Sequence, residues 1–260
     1  MSIIGQVFIF AFGAMVGSFL NAVLWRLRCQ ESFIVGRSYC PECRHNLAAL
    51  DLVPIVSYLL LGGKCRYCRK PISPSYLLVE IAAGTLFLLA AIQAAVGRDV
   101  LSPAFLPQLL LYWYFIAVLI LVFVYDLRYM LILPSVTIPA AIIAIIGNLA
   151  LGRSWWSLLL GCFIGAGFFY LQLVLSRGEW IGGGDVYLGF LLGAILGWPL
   201  VLVALFLAYV SGASVGLILL TSKKKTLKSQ LAFGTFLSAA TVVSMLYGNS
   251  ILLWYLGIAV

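Results

Sequence analysis

Charge is what this chain has least of. Only 9% of its 260 residues are Asp, Glu, Lys or Arg, where a typical soluble domain carries about 25%. Apolar residues make up 64%, against roughly 45–50% in such a domain. That excess excludes a single water-soluble core of this size, and the bilayer is the solvent that accepts it. A net charge of +8 would suit nucleic acid, but the chain lacks a basic soluble domain and has few aromatics interleaved with its basic residues. Nucleic-acid binding is therefore set aside. The positive charge is read instead as belonging to cytoplasmic loops and anionic lipid. The apolar run from Ile3 to Trp25 lacks a basic n-region and a small-residue cleavage site, so it reads as a retained anchor rather than a removed signal peptide. A disulfide framework is missing too. Four of the six cysteines fall in two Cys-x-x-Cys pairs, which is the arithmetic of a metal.

What is present is a succession of apolar runs. A helix needs roughly 20 apolar residues to cross about 30 Å of hydrocarbon. Eight runs qualify, at about 3–25, 77–97, 108–125, 134–151, 155–175, 186–199, 200–220 and 236–258. The sixth is short, and Trp198–Pro199 supplies its turn into the seventh. A lipid-exposed backbone must satisfy its own hydrogen bonds, so these runs are helices. The fold class expected is all-α, a polytopic membrane protein of about eight transmembrane helices with a small cytoplasmic zinc-binding loop domain. The domains expected are a first transmembrane helix at 1–25, the loop domain at 26–76, and a core of about seven helices at 77–260. Alternate loops hold 14 of the 16 Lys and Arg residues, and only Arg98 and Arg153 fall opposite. The positive-inside rule then puts those loops in the cytoplasm and both termini outside.

The loop domain carries Cys40-Pro41-Glu42-Cys43 and Cys65-Arg66-Tyr67-Cys68, with 21 residues between the knuckles. Two such pairs suit a tetrahedral zinc ion with four cysteine ligands and no open position, hence a structural role. The spacing is one residue beyond the usual ribbon range. Arg44, Lys64, Arg66 and Arg69 offset the charge of four thiolates. Binding zinc can supply about 10–16 kcal/mol of folding energy, enough to order a segment too small to build its own core. His45 sits beside the first knuckle and reads as a solvated loop residue. Cys29 and Cys162 have no partner in the pattern and read as small hydrophobes.

The second constellation is Asp126 and Asp185. The span boundaries bring both to the same membrane surface, where acids are functional candidates by default. The bland alternatives are an N-cap for Asp185 and a pairing with Arg128 for Asp126. Two close carboxylates cannot easily both ionise, so they share a proton and titrate together. Such a pair can cleave an amide, one carboxylate taking a proton from water while the other donates to the carbonyl oxygen. Helix ends would make Asp185, at an N-terminus, the base and Asp126, at a C-terminus, the acid. Gly189, Gly193 and Gly197 recur every fourth residue and predict close helix packing. Gly182 to Gly184 allow an unusual backbone approach to the acid. Glu80, in the first turn of the second span, would orient a substrate amine or pair with an arginine. Asn21 reads as interhelical glue.

These motifs together resemble the type IV prepilin peptidases over nearly the whole length. The first-span pattern is Gly17-Ser18-Phe19-Leu20-Asn21 with Arg26. The loop pattern runs from Cys40-x-x-Cys43 through Val53-Pro54-x-x-Ser57-Tyr58-Leu59 to Gly63-Lys64-Cys65-Arg66-x-Cys68. Pro71-Ile72-Ser73, Val79-Glu80, Asp126-Leu127 with Met130-Leu131 and Pro134, Gly182-x-Gly184-Asp185 and Phe233-Gly234-x-Phe236-Leu237 continue it. The resemblance implies that Asp126 and Asp185 are the catalytic pair. It implies removal of a short basic leader from prepilin or pseudopilin substrates at the cytoplasmic face of the bacterial inner membrane, with the cut just before a hydrophobic stretch. It also implies N-methylation of the new N-terminus with S-adenosylmethionine, for which Glu80 is a candidate neighbour. No glycine-rich soluble methyltransferase motif is present. Four positions depart from the family: Tyr187 stands where lysine is usual, Ala232 and Thr235 where the last signature commonly has proline, and Tyr125 where an apolar residue is common. The competing readings are a proton- or ion-coupled transporter with a zinc-stapled loop, and a structural assembly factor.

Overall fold

The computed structural model describes residues 1–32, 36–96, 102–222 and 231–257. Arg98, Lys223, Lys224, Lys225 and Lys228, which the charge argument used, lie outside them. Among the described residues the chain is helical and has no strand beyond two isolated bridges. It divides into two compact units, Met1–Ser102 and Pro103–Val260.

The first unit pairs α1 (Ile3–Cys29) with α3 (Pro74–Ala95). Small residues set their separation. A methyl group on Gly13 would lie 2.8 Å from the Ala83 carbonyl oxygen, and one on Gly17 would lie 2.8 Å from the Glu80 Cα. In lipid no hydrophobic force draws apolar helices together, so this close backbone approach supplies the attraction through packing. Pro74 at the first helical position and Ser73 as its cap start α3 where the loop ends. The segment between the helices holds a 3₁₀ turn (Ala49–Leu52), the short α2 (Val56–Leu60) and both cysteine pairs.

The second unit contains α4 (Phe105–Tyr129), α5 (Pro134–Ala150), α6 (Trp155–Leu175), α7 (Gly183–Leu196), α8 (Leu200–Thr221) and α9 (Phe233–Tyr255). Helix α7 packs against α5, α6, α8 and α9. It has only 14 residues, or about 21 Å at 1.5 Å per residue, short of the hydrocarbon thickness. Its burial among neighbours explains how so short a helix serves, since nearly every residue after Leu188 is buried. Six helices (α1, α3, α4, α6, α8 and α9) are long and apolar enough to cross a membrane, and α5 and α7 are shorter apolar helices. The eight expected spans are thus all helices, six of full spanning length.

Two contacts fix α7 along its axis. On one face Gly189 sits on Gly165 of α6 and Gly193 on Gly161, backbone against backbone. At its far end the carbonyls of Ala194, Ile195 and Leu196 would lack partners within the helix. Asn148 Nδ2 donates to the first two, and Arg153 donates to Ile195 and Leu196, the last at 2.8 Å. Gly197, with φ of +67°, ends the helix, and the chain turns through Trp198–Pro199 into α8 as expected. Exposed Trp155, Trp156, Trp198, Trp254 and Tyr255 mark the helix ends opposite Asp126 and Asp185, in the manner of an interfacial aromatic belt.

The boundaries moved at two informative places. Helix α4 runs on to Tyr129, so Asp126 lies within its last turn rather than just past it. Helix α9 starts at Phe233, so Gly234 and Thr235 belong to its first turn and present free backbone N–H groups there.

Candidate active site and cysteine cluster

The second unit brings Asp126 and Asp185 together. Both are buried, at 4% and 9% exposure, and the Asp126 charge acts on the Asp185 carboxyl. Asp126 Oδ2 accepts the Thr235 N–H at 3.0 Å, and the Gly234 N–H faces the same carboxylate. Asp185 is the third residue of α7, and its Oδ2 accepts the Gly182 N–H at 3.2 Å. Asp185 therefore does cap its helix, through one oxygen.

Ile132, in the turn after α4, joins the three elements. A methyl group on Gly184 would lie 2.9 Å from the Ile132 Cβ, and one on Gly234 would lie 3.0 Å from its Cδ1 and 2.8 Å from Asp126 Oδ2. Glycine at both positions is what lets the α7 and α9 starts close on the acids. Asp126 ends α4 but faces the first turn of α9, so both acids meet helix N-termini and the macrodipole no longer tells them apart. Sequence reading missed this, because a backbone N–H leaves no signature in residue identity.

A polar pair lies nearby on α6 and α8. The Tyr209 hydroxyl donates to Gln172 Oε1 at 3.0 Å and accepts from Nε2 at 2.8 Å. Its ring packs on Phe233, with centroids 4.9 Å apart, and the hydroxyl senses the charge of Asp185. Neither residue was singled out by sequence.

In the first unit the four cysteines of the two knuckles converge, with all sulfurs within 4.8 Å of one another. Cys40 and Cys68 Sγ are 3.9 Å apart. Tetrahedral zinc with Zn–S of about 2.3 Å requires S···S of about 3.8 Å, so the donor set fits. The knuckles are built alike. The Cys40 N–H donates to the His45 carbonyl and the Cys65 N–H to that of Lys70, while the Arg44 and Arg69 N–H groups return to Cys40 and Cys65. Arg44 and Arg69 both take the left-handed conformation, φ of +57° and +60°. Burial raises the Cys65 thiol, but the Cys68 and Tyr67 N–H groups and neighbouring thiols bring it down to about 7. The Lys70 N–H lowers Cys68, yet burial and the neighbouring thiols push it up to about 11. Four thiolates cannot coexist there without a cation. His45 is not simply solvated, because its ring lies 3.7 Å from that of Tyr67 in the other knuckle. Asp51 accepts from Arg66 at 2.6 Å and from the Tyr67 hydroxyl at 3.0 Å, and Lys70 pairs with Glu42.

Among the described residues Glu80 forms no ion pair with an arginine or a lysine. Its Oε2 accepts the Ile55 N–H at 2.7 Å, and Ser18 is its other partner. Ile55 has φ of +63°, a costly conformation for a β-branched residue, and the Glu80 carboxylate helps hold it. Asn21 donates to the Tyr76 carbonyl at 3.0 Å, while its buried Oδ1 has no partner among the described residues.

Comparison with known proteins bears on both units. A model described as the bacterial peptidase A24 N-terminal domain matches residues 11–94. Another, described as the type IV leader peptidase family, matches residues 113–217. A prepilin leader peptidase/N-methyltransferase from Aeromonas hydrophila is 31% identical, over 95% of this chain and 92% of its own. One of the same name from Bacillus subtilis (strain 168) is 32% identical, over 96% and 98%. The chain belongs to the type IV leader peptidase family. A third relative, from Myxococcus xanthus (strain DK1622), is 35% identical over 82% of this chain and 63% of its own length. No solved structure gives a significant match. As a member of this family the chain is a multi-pass membrane peptidase, and the transporter reading finds no support. The cysteine cluster falls in the first matched segment and both acids in the second. Gly234 and Thr235, which hold Asp126, fall outside both.

Proposed function

We propose that the chain is an aspartic endopeptidase of the bacterial inner membrane that removes the leader from prepilins or pseudopilins, with Asp126 and Asp185 as its catalytic pair. The observation that carries this reading is the pair itself: two buried acids, distant in sequence, that interact electrostatically while fixed by N–H groups of different helices. One carboxylate takes a proton from water as its oxygen attacks the scissile carbonyl carbon. The other donates a proton to the carbonyl oxygen, and collapse of the tetrahedral intermediate expels the amine with a proton. The excess of Lys and Arg in alternate loops supports a cytoplasmic position for this chemistry, with both termini outside. The cysteine cluster holds a structural zinc ion that orders the segment between α1 and α3.

The same reading includes N-methylation of the newly exposed N-terminus. S-adenosylmethionine supplies an electrophilic methyl group, and a cationic donor needs buried acceptors. Glu80 and the unpartnered Asn21 Oδ1 are the acceptors that fit, one on each of the paired helices α1 and α3. The test is purified chain mixed with a prepilin and a labelled methyl donor, followed by mass analysis. The expected products are a prepilin shortened by its leader and label on the new N-terminus. Intact prepilin would refute the peptidase, and an unlabelled shortened product would refute the transferase.

A further inference from the structure

In the first unit the short α2 carries its polarity the wrong way round for water. Val56, Leu59 and Leu60 are spaced three and four residues apart, so they share one face, and they are 50%, 63% and 81% exposed. Ser57 and Tyr58, which could meet water, are half-buried instead. The Tyr58 hydroxyl donates to the Ile72 carbonyl at 3.3 Å. The 3₁₀ turn that packs on α2 exposes Leu50 as well. A water-facing helix shows the opposite arrangement. The depth of α2 follows from its start. The N–H of Ile55, the residue before α2, donates to Glu80 Oε2 at 2.7 Å. Glu80 lies six residues past Pro74, about 9 Å along α3. With 22 residues, α3 is about 33 Å long, hardly more than the hydrocarbon thickness. Helix α2 therefore begins alongside the opening turns of a helix of spanning length, and not out beyond its end.

We infer that α2 is an interfacial helix, with Val56, Leu59 and Leu60 inserted among the acyl chains of the bilayer and Lys64 and Arg69 at anionic lipid headgroups. This does not depend on the peptidase reading. Helices that lie in the membrane surface bury their apolar face about 5–10 Å into the boundary between headgroups and acyl chains, and the Glu80 bond sets α2 at such a level. The chain leaves α2 through Gly62 and Gly63, and the Ile72 N–H donates to the Gly63 carbonyl at 2.7 Å, so α2 is a short excursion that returns at once to the start of α3. Lys64 and Arg69 are exposed and enter no ion pair among the described residues. Cations beside an inserted apolar face draw an anionic lipid surface. The segment between α1 and α3 is then held from two sides, by the cysteine cluster and by the bilayer.

The full chain, with trifluoromethylphenylalanine in place of Leu60, is reconstituted in nanodiscs of phosphatidylcholine and phosphatidylglycerol. Its fluorine resonance is followed with a lipid carrying a nitroxide near the head end of its acyl chain, and separately with a water-soluble gadolinium chelate. The expected result is broadening by the lipid nitroxide about threefold greater than by the chelate. Stronger broadening by the chelate would put α2 in water, and broadening by neither would put it against protein, a second copy included; either result overturns the inference. In nanodiscs of phosphatidylcholine alone the lipid broadening should weaken, and equal broadening would overturn the headgroup contact of Lys64 and Arg69. A second readout uses Leu59→Asp with Leu60→Asp and the probe at Val56. Side chains this exposed have few contacts within the chain to lose, so the helical signal should persist. Lipid broadening should fall by about half while broadening by the chelate rises. A resonance indifferent to the two aspartates would overturn the inference.

Discussion

The cysteine-bearing segment and the acid-bearing bundle solve the same problem by different means. Each must hold chemical groups in place without a conventional water-soluble core. In the segment between α1 and α3, order comes from polar contacts at short range: knuckle hydrogen bonds, the Asp51–Arg66 and Glu42–Lys70 pairs and the Glu80 bond to Ile55. In the bundle, order comes from backbone approaching backbone at Gly161, Gly165, Gly189 and Gly193, and from capping of α7 by Asn148 and Arg153. The first kind of order draws on ionised side chains and on four sulfurs close enough to take a metal ion. The second is indifferent to both. The contrast teaches that perturbing agents should separate the two regions cleanly.

The largest expected effect is on the segment. Replacing Cys40 and Cys65 together with serine should remove about one zinc ion per chain and with it on the order of 10 kcal/mol of local order. Metal analysis and limited proteolysis between α1 and α3 would show it, while the helical signal of the bundle persists. Next comes the bundle's own weak point. Gly193→Leu forces a side chain into the α6 backbone at Gly161, and overpacking of this kind costs about 1–3 kcal/mol or more. Thermal unfolding in detergent should shift downward with zinc content unchanged. A loss of zinc in that variant would break the separation.

The smallest effect sharpens it. Burial raises the Asp51 carboxyl, but hydrogen bonds from Arg66, the Ala48 N–H and the Tyr67 hydroxyl together outweigh that and hold it below the usual carboxylate range. A carboxyl depressed on folding contributes stability above its unfolded value of about 3.9, and that contribution disappears as pH falls through the lower folded value. Asp51→Asn should therefore weaken the segment near neutrality, and its difference from the unaltered chain should begin to shrink near about pH 4 and vanish only below the lower folded value. Protease protection of the segment measured across pH reports this. A difference that grows in acid would contradict it.

Much of the molecule was legible in its residues, and the exceptions share a cause. Apolar runs gave the helices because lipid demands them, and the two Cys-x-x-Cys pairs gave the cluster because thiolates must converge to hold a metal. Asp126 and Asp185 stood out because acids near a membrane surface need a reason. Thr235 stood out only as a departure from the family pattern, and Ile132 did not stand out. One acts through its backbone N–H and the other through shape, and neither needs a particular side-chain chemistry. Glycines 161 and 165 gained meaning only once their partners on α7 were known. The reading of acid and base roles from helix ends left out one end for the same reason, since the helix that meets Asp126 starts over a hundred residues later.

The most direct test of the paired-acid account is leader removal by Asp126→Asn and Asp185→Asn chains, followed by mass in detergent. Each substitution keeps the side chain's size and removes only its ability to exchange a proton. Both chains should insert, retain zinc and leave the prepilin intact. Cleavage surviving in either one would contradict the account.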